Sequence, residues 1–402
     1  HGHWQRPLGD AGGFDALLWG QGVRSRVFLN IPEDGVVAQT EEYDRRVALG
    51  GQARATRQIG AGELSGGVDG RADWSRYDLY DTEARVRDET EQSDDADFRS
   101  AGAFVRWRAI IGTRLVYDVG GRLDVLGYAA RDLLQPSVPR QDRSRVIAGP
   151  KLGARLLLGP RVSLLASLSR GFRGAVGVIG DANRPPVTAW AKEIGASLDG
   201  ARLQGKLALF RMDVADERIF DPVTREVSDA GESVRQGVTV DLSWTARPGL
   251  VLHAEGTFND AKVTGVAETP AAAVPDLSTA ALPVRPQLHD VPLTPGARVP
   301  GVARYFGRAG VEATLTPAVG ARALVRVSGP FTPIGEPSVR TSAYGLVDLG
   351  GSVRLDHAGT TLDVDLLNAL NTRYPELRAS GFLNPGAPRT LRAAVRFGAP
   401  AR

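Results

Sequence analysis

A chain of 402 residues, 42% of them hydrophobic and 24% charged, is long enough for one large core or for two to three soluble domains, yet no linker or shift in composition divides it. No apolar run approaches the roughly 18 residues of a membrane-spanning helix, and a mean hydropathy of -0.16 suits a membrane protein only if half of each crossing segment faces water. The absence of cysteine removes disulfide frameworks and thiolate sites, while a net charge of +3 carried by scattered arginines, with no basic stripe among aromatics, gives nucleic-acid binding little support.

In chain order, a first tight turn is predicted at Gly60 to Gly62, followed by strand aromatics Trp74, Tyr77 and Tyr80 and a polar loop over Asp81 to Asp97. Trp107 lies in the next strand, Gly120-Gly121 reads as a turn, Tyr128 as a strand end and Arg131 to Asp142 as a long loop. Leu152, Ala154, Leu156 and Leu158 lead into Gly159-Pro160, and Val162, Leu164, Ala166 and Leu168 lead out. After a loop over Gly171 to Ala189, Ile194, Ala196 and Leu198 reach Asp199-Gly200, and Leu203, Gly205, Leu207 and Leu209 alternate with Arg202, Gln204 and Lys206. Beyond a loop over Asp213 to Glu232, Val238, Val240, Leu242 and Trp244 alternate with Thr239, Asp241, Ser243 and Thr245, turn at Arg247-Pro248-Gly249, and continue as Leu252, Ala254, Gly256 and Phe258. Three more loops are predicted over Val263 to Pro300, Pro330 to Ser342 and Asn371 to Pro388. Turns at Pro317 to Gly320 and Ala358-Gly359 lie among strands that include Val347 to Leu355 and Leu362 to Leu366.

Side chains of a strand point alternately to opposite faces, so these segments are apolar on one face and polar on the other. Tight turns alternating with long polar loops are the asymmetry of an outer-membrane barrel, with the short turns periplasmic. The expected fold is therefore an all-β antiparallel transmembrane β-barrel, of which about 15 or 16 strands are present over residues 1–402. Trp74, Trp107 and Trp244, with Tyr77, Tyr80 and Tyr128, are candidates for its interfacial aromatic girdle.

Sites of chemistry are sparse. The histidines His1, His3, His253, His289 and His357 form no i, i+4 pair, and His1-Gly2-His3 lacks the further ligands a metal requires. Asp88, Glu89, Glu91, Asp94, Asp95 and Asp97 could gather around a divalent cation, but their spacing lacks an EF-hand's glycine and a solvated loop is the default reading. Gly171-Phe172-Arg173-Gly174 opens no helix and so is no phosphate loop. Inward arginines Arg106, Arg108, Arg155, Arg322, Arg326, Arg392 and Arg396 could meet an anionic chelate, the acidic face of a plug, or carboxylates on neighbouring strands; the last is preferred. No catalytic residue, cofactor or resident metal is expected, and substrate-contacting residues are not legible.

Several ordered segments resemble the TonB-dependent outer-membrane receptors. They are Val146 to Gly174, ending in Gly-Phe-Arg; Ala189 to Asp221, with a glutamate-glycine strand; Asp229 to Gly265; Val299-Pro300-Gly301; Leu346 to Leu355; Val364 to Pro375; and Asn384 to Phe397. Asp229 stands where that family usually has Asn, and Thr239 where Glu often stands. The resemblance is strong after Asp142 and weaker before it. It implies a barrel of about 22 strands filled by an N-terminal plug, so the chain is expected to be a piece whose plug and first strands lie upstream. It further implies an integral protein of the Gram-negative outer membrane, a monomer in lipid, that imports a scarce nutrient, most often a ferric siderophore. Energy would come from TonB, gripping a short segment in the missing N-terminal part. Asn368 and Asn371 would organise a strand end, and Phe397 with Leu391, Ala393 and Val395 would be the signal read by the barrel assembly machinery. The alternative is a passive 16-stranded porin; a barrel anchoring an adhesin is more remote.

Overall fold

The computed structural model describes residues 1–33, 36–174, 185–220, 227–265, 294–355, 360–379 and 381–397. Among them the chain is all-β, with nineteen strands, one 3-10 turn at Gly9–Ala11 and no α-helix. Its residues group into two compact units, one of His1–Arg155 with Ser167–Trp190 and the other of Leu156–Ala166 with Ala191–Arg402.

In the first unit β1 (Gly2–Pro7), β2 (Gly12–Glu33), β3 (Val36–Ile59), β4 (Gly62–Glu83), β5 (Val86–Ile111) and β6 (Leu115–Asp132) form an antiparallel meander in chain order. β7 (Gln141–Leu157), β8 (Val162–Arg173) and β9 (Val187–Asp199) carry residues of both units. In the second unit β10 (Leu203–Phe220), β11 (Val227–Arg247), β12 (Leu250–Gly265), β13 (Tyr305–Thr316), β14 (Val319–Ser328), β15 (Tyr344–Arg354) and β16 (Thr361–Leu367) repeat the meander. β17 (Pro375–Ala379) and β18 (Phe382–Pro385) make a separate small hairpin, and β19 (Thr390–Arg396) pairs with β16.

The registers turn the alternation of single strands into continuous faces. Leu203, Trp244, Leu252, Val311, Ala323, Leu349, Leu366 and Leu391 stand opposite one another across eight strands of the second unit. In the first, Ala16, Ala53, Val68, Ala103 and Leu123 do the same across five. Large apolar side chains on the faces that carry these rows are exposed, Leu242 at 41% and Val68 at 56% among them. In water such a patch would be a liability; as a lipid-facing band it is what a barrel wall requires. The opposite face is polar.

Four strands are far longer than a crossing needs. β2, β3, β4 and β5 have 22, 24, 22 and 26 residues, whereas nine to eleven tilted residues suffice to cross the hydrocarbon. Their excess stands on the side of the long connections. This corrects the loop expected over Asp81 to Asp97: the segment is the tip of the β4–β5 hairpin, turning at Ala84 and Arg85 with φ of 50° and 66°. Outside hydrocarbon both faces are wet, so the alternation that marks a strand disappears. The loop expected over Asp213 to Glu232 is likewise mostly strand, since β10 runs to Phe220 and β11 starts at Val227.

Gly120-Gly121 is not a turn; it lies inside β6 opposite Arg106 and Val105, and the chain reverses at Gly112 to Arg114. Two aromatics also change role. Trp74, Trp107 and Trp244 lie on the apolar face, but Tyr77 and Tyr128 lie on the other and are buried, Tyr128 packing with Phe98, Leu126 and Ile147. Residues 175–184 and 266–293, within the loops expected at Gly171 to Ala189 and Val263 to Pro300, lie outside the described residues, as do the turn Ala358-Gly359 and the histidines His289 and His357.

Because Leu242 faces the apolar side and Ser243 the polar side, Leu242→Arg should destabilise the folded protein by about 2 to 4 kcal/mol while Ser243→Arg costs little. Heat-modifiable gel mobility and urea-dependent folding into lipid read the difference.

Candidate functional site

The polar face carries the chemistry, and it is an ion-paired wall. In the second unit Arg326 meets Asp348 at 2.8 Å, Arg396 meets Asp363 at 2.7 Å, and Arg392 and Arg322 both reach Asp365, at 2.8 and 3.0 Å. In the first, Arg106 meets Asp118 at 2.7 Å. The preferred reading of these arginines holds: carboxylates on neighbouring strands take them. Arg108 and Arg155 share the same face of their strands.

One of these pairs, and a further one in the first unit, reach across an intervening strand, and a glycine makes room each time. Arg322 on β14 and Asp365 on β16 flank Gly350 of β15, where a Cβ would lie 2.5 Å from both the guanidinium Nε and the carboxylate Oδ1. Arg122 on β6 reaches Asp69 on β4 at 2.7 Å over Gly102 of β5, while also holding its own neighbour Asp124. Each guanidinium presents its fork to carboxylate geometry, tying three strands together where backbone hydrogen bonds tie only two.

Above the crossing segments the face continuous with the apolar rows is ion-paired as well. Glu41, 2% exposed, accepts from Arg26 at 2.9 Å and Arg87 at 2.6 Å, and Arg87 also stacks 3.8 Å over the Tyr80 ring. The Arg87 hydrogen bonds outweigh burial and hold the Glu41 carboxyl below its usual range. Asp94 is the opposite case: burial comes first in pushing its carboxyl up, and Asp132 across the strand adds to it. The acidic stretch Asp88 to Asp97 is not a cation cage, since Asp94 points to the polar face and Asp95 and Asp97 to the other. Among the described residues no group of three or more His, Cys, Asp or Glu could hold a metal ion. His3 contacts Asp15 at 2.5 Å within the β1–β2 pair.

In the long connection after β14, Glu336 accepts from Arg378 of β17 at 2.8 Å, a contact that holds the Glu336 carboxyl below its usual range. At the end of β16, Asn368 and Asn371 take left-handed conformations, with φ of 47° and 54°. The Asn368 amide nitrogen donates to the carbonyls of Thr372 and Ala387, its Oδ1 accepts from the Thr372 amide, and Asn371 accepts from the Arg389 amide. These side chains do organise the strand end. Val299 of the Val-Pro-Gly segment packs on Ala261 and Val263, and Phe172 of the Gly-Phe-Arg segment packs on Leu126, Tyr128 and Ile147. The Glu41 cluster and the Asp69–Arg122 bridge were not foreseen. A pair joining strands that are not neighbours in sequence becomes visible only once the registers are known.

A family model described as TonB dependent receptor-like, beta-barrel, matches residues 6–371. The chain belongs to this family. The match begins well before Asp142, so the first third, where the motifs are weaker, belongs with the rest. No curated protein sequence matches. Solved structures do: the siderophore receptor PiuA from Acinetobacter baumannii, at 15% identity and a TM-score of 0.80, covers 98% of this chain and 63% of its own. The ferric citrate transporter FecA follows at 14% identity, a TM-score of 0.77 and 97% and 59% coverage; the copper transporter OprC has 16%, 0.76, and 98% and 64%. Identities this low speak for the fold alone. The chain spans about three fifths of the length of these structures. As a TonB-dependent receptor-like β-barrel it is an integral protein of the Gram-negative outer membrane, in a family of receptors rather than enzymes.

Two outcomes test this geometry. Asn368→Ala removes three side-chain hydrogen bonds from a left-handed position and should cost about 1 to 3 kcal/mol, read as a lower urea midpoint. The Glu336–Arg378 pair has a sign. Its carboxyl is depressed in the folded state, so its contribution is present above the usual glutamate value of about 4.3 and is lost as pH falls through the folded value. Hydrogen exchange at Arg378 and Ala379, corrected for intrinsic rate, should therefore quicken between pH 7 and pH 3, and Glu336→Gln should abolish most of that change.

Proposed function

We propose that this chain is the barrel portion of an active importer that takes a scarce nutrient across the outer membrane, with energy delivered by TonB to a plug elsewhere in the protein. The observation that carries this reading is the family match over residues 6–371. The ion-paired polar face supports it. A wall whose arginines are held by carboxylates offers little unbalanced charge to select solutes in steady diffusion, but suits a lumen filled by another protein segment. A passive 16-stranded porin would have to belong to a family of receptors while working as a channel, so it is the weaker reading.

Within the importer class we propose a ferric siderophore as cargo. Support comes from the similar structures, among them a siderophore receptor and a ferric citrate transporter. The copper transporter among them makes another metal complex the second candidate. Energy would reach the protein through a TonB-gripped segment, and assembly would use the C-terminal strand ending at Phe397, whose ring is 83% exposed beside Leu391 and Val395.

In cells expressing the full-length protein under iron limitation, accumulation of radioactive iron from a siderophore panel should depend on both the protein and TonB. Steady conductance in planar bilayers, with uptake persisting in cells that lack TonB, would contradict import and favour the porin.

A further inference from the structure

The first unit carries a basic groove on its lipid-facing side, immediately beyond the apolar band. On β3, above Ile59 and Arg57 beside the short turn, the outward positions are Ala55, Ala53, Gly51, Leu49 and Val47, about the length a tilted strand needs to cross. Val47 stands opposite Trp74, 41% exposed, which fits an anchor at the headgroup level. One outward step higher, Arg24, Arg45 and Arg76 stand opposite one another on β2, β3 and β4, at the usual strand spacing of about 5 Å.

Like charges directly opposite across strands are destabilising unless something neutralises them. Asp78 reaches Arg45 at 3.5 Å and Arg76 at 3.2 Å, whereas among the described residues no carboxylate lies within ion-pair distance of Arg24. Arg131 continues the row on β6 opposite Asp95, and Arg140 folds onto the same side, 2.6 Å from Asp97. With Arg99, 68% exposed and two outward positions below the row, opposite Ala72, six arginines face three aspartates. Arg24, Arg45, Arg76 and Arg140 line a groove of about 710 Å³ with Val47 and Trp74 at its floor.

From this juxtaposition we infer that the groove binds the phosphorylated headgroup of an outer-leaflet glycolipid. Three features choose this occupant. Arginine forks match phosphate oxygens; the row lies on the face continuous with the lipid-facing band; and it stands on the side of the long connections, where the outer leaflet meets the protein. A soluble anion would satisfy the charge but would have no use for Trp74 and the apolar floor. The inference rests on outer-membrane placement and not on the identity of the cargo.

The test uses the protein purified from outer membranes in detergent, titrated with lipid A carrying two phosphates and with its dephosphorylated counterpart, bound lipid being counted by native mass spectrometry. The phosphorylated form should bind more tightly. Replacing Arg24, Arg45 and Arg76 together by Gln should weaken it roughly a hundredfold, at about fivefold for each basic residue, and leave the dephosphorylated form unchanged. The Lys counterpart at the same three positions should retain part of the preference, and it decides the matter should the Gln variant fail to show heat-modifiable mobility. Equal binding of the two lipids, or an undiminished preference in a folded Gln variant, would overturn the inference. Displacement of the lipid by equimolar inorganic phosphate would also overturn it, assigning the groove to free anions.

Discussion

Everything in this structure follows from one constraint: inside hydrocarbon no water is available to a backbone amide or carbonyl, so each must find its partner in a neighbouring strand. Consecutive antiparallel pairing meets that demand locally, and the side chains are then sorted by their period of two. The row from Leu203 to Leu391 results when eight strands each obey the same rule in a shared register. A one-residue slip anywhere in it would place the charges of the polar face in lipid. The ion pairs across Gly350 and Gly102 oppose such a slip, because their geometry exists at only one alignment of three strands.

How much of this could be read from the residues depends on where each strand lies. Within the crossing segments the alternation at Val238 to Thr245 and at Leu203 to Leu209 announces strand, face and turn together. Beyond the membrane the same strands have water on both sides, and the contrast between faces vanishes. Asp88, Asp94 and Asp95 therefore read as a polar loop although they belong to the longest strand, β5. Tyr77 and Tyr128 show a related limit. An aromatic near a strand end is equally compatible with an outer girdle and an inner cluster, and only its parity relative to the apolar row decides. Gly120-Gly121 reads as a turn by composition, yet both glycines lie within a strand.

The functional residues divide in the same manner. Asn368 and Asn371 were legible as the organisers of a strand end, and the bonds of Asn368 to the Thr372 backbone are local, but its bond to Ala387 and that of Asn371 to Arg389 cross 19 and 18 residues and had to come from the structure. The charged wall was legible in kind, since arginines at inward positions call for carboxylates, but the partner of each had to come from the registers. The arginine row at Arg24, Arg45 and Arg76 was not legible, because its members are about 20 to 50 residues apart in sequence and become neighbours only through the pairing of β2 with β3 and of β3 with β4.

The absence of native cysteine allows the central claim, that alternate residues face lipid and water, to be tested directly. Single cysteines placed in turn from Val238 to Thr245 of β11 and spin-labelled in the membrane-inserted protein report collisions with oxygen, which concentrates in lipid, and with a polar nickel complex, which stays in water. Oxygen accessibility is predicted to peak at 238, 240, 242 and 244, with nickel accessibility peaking at 239, 241, 243 and 245. A profile without a period of two, or one in the opposite phase, would contradict the account.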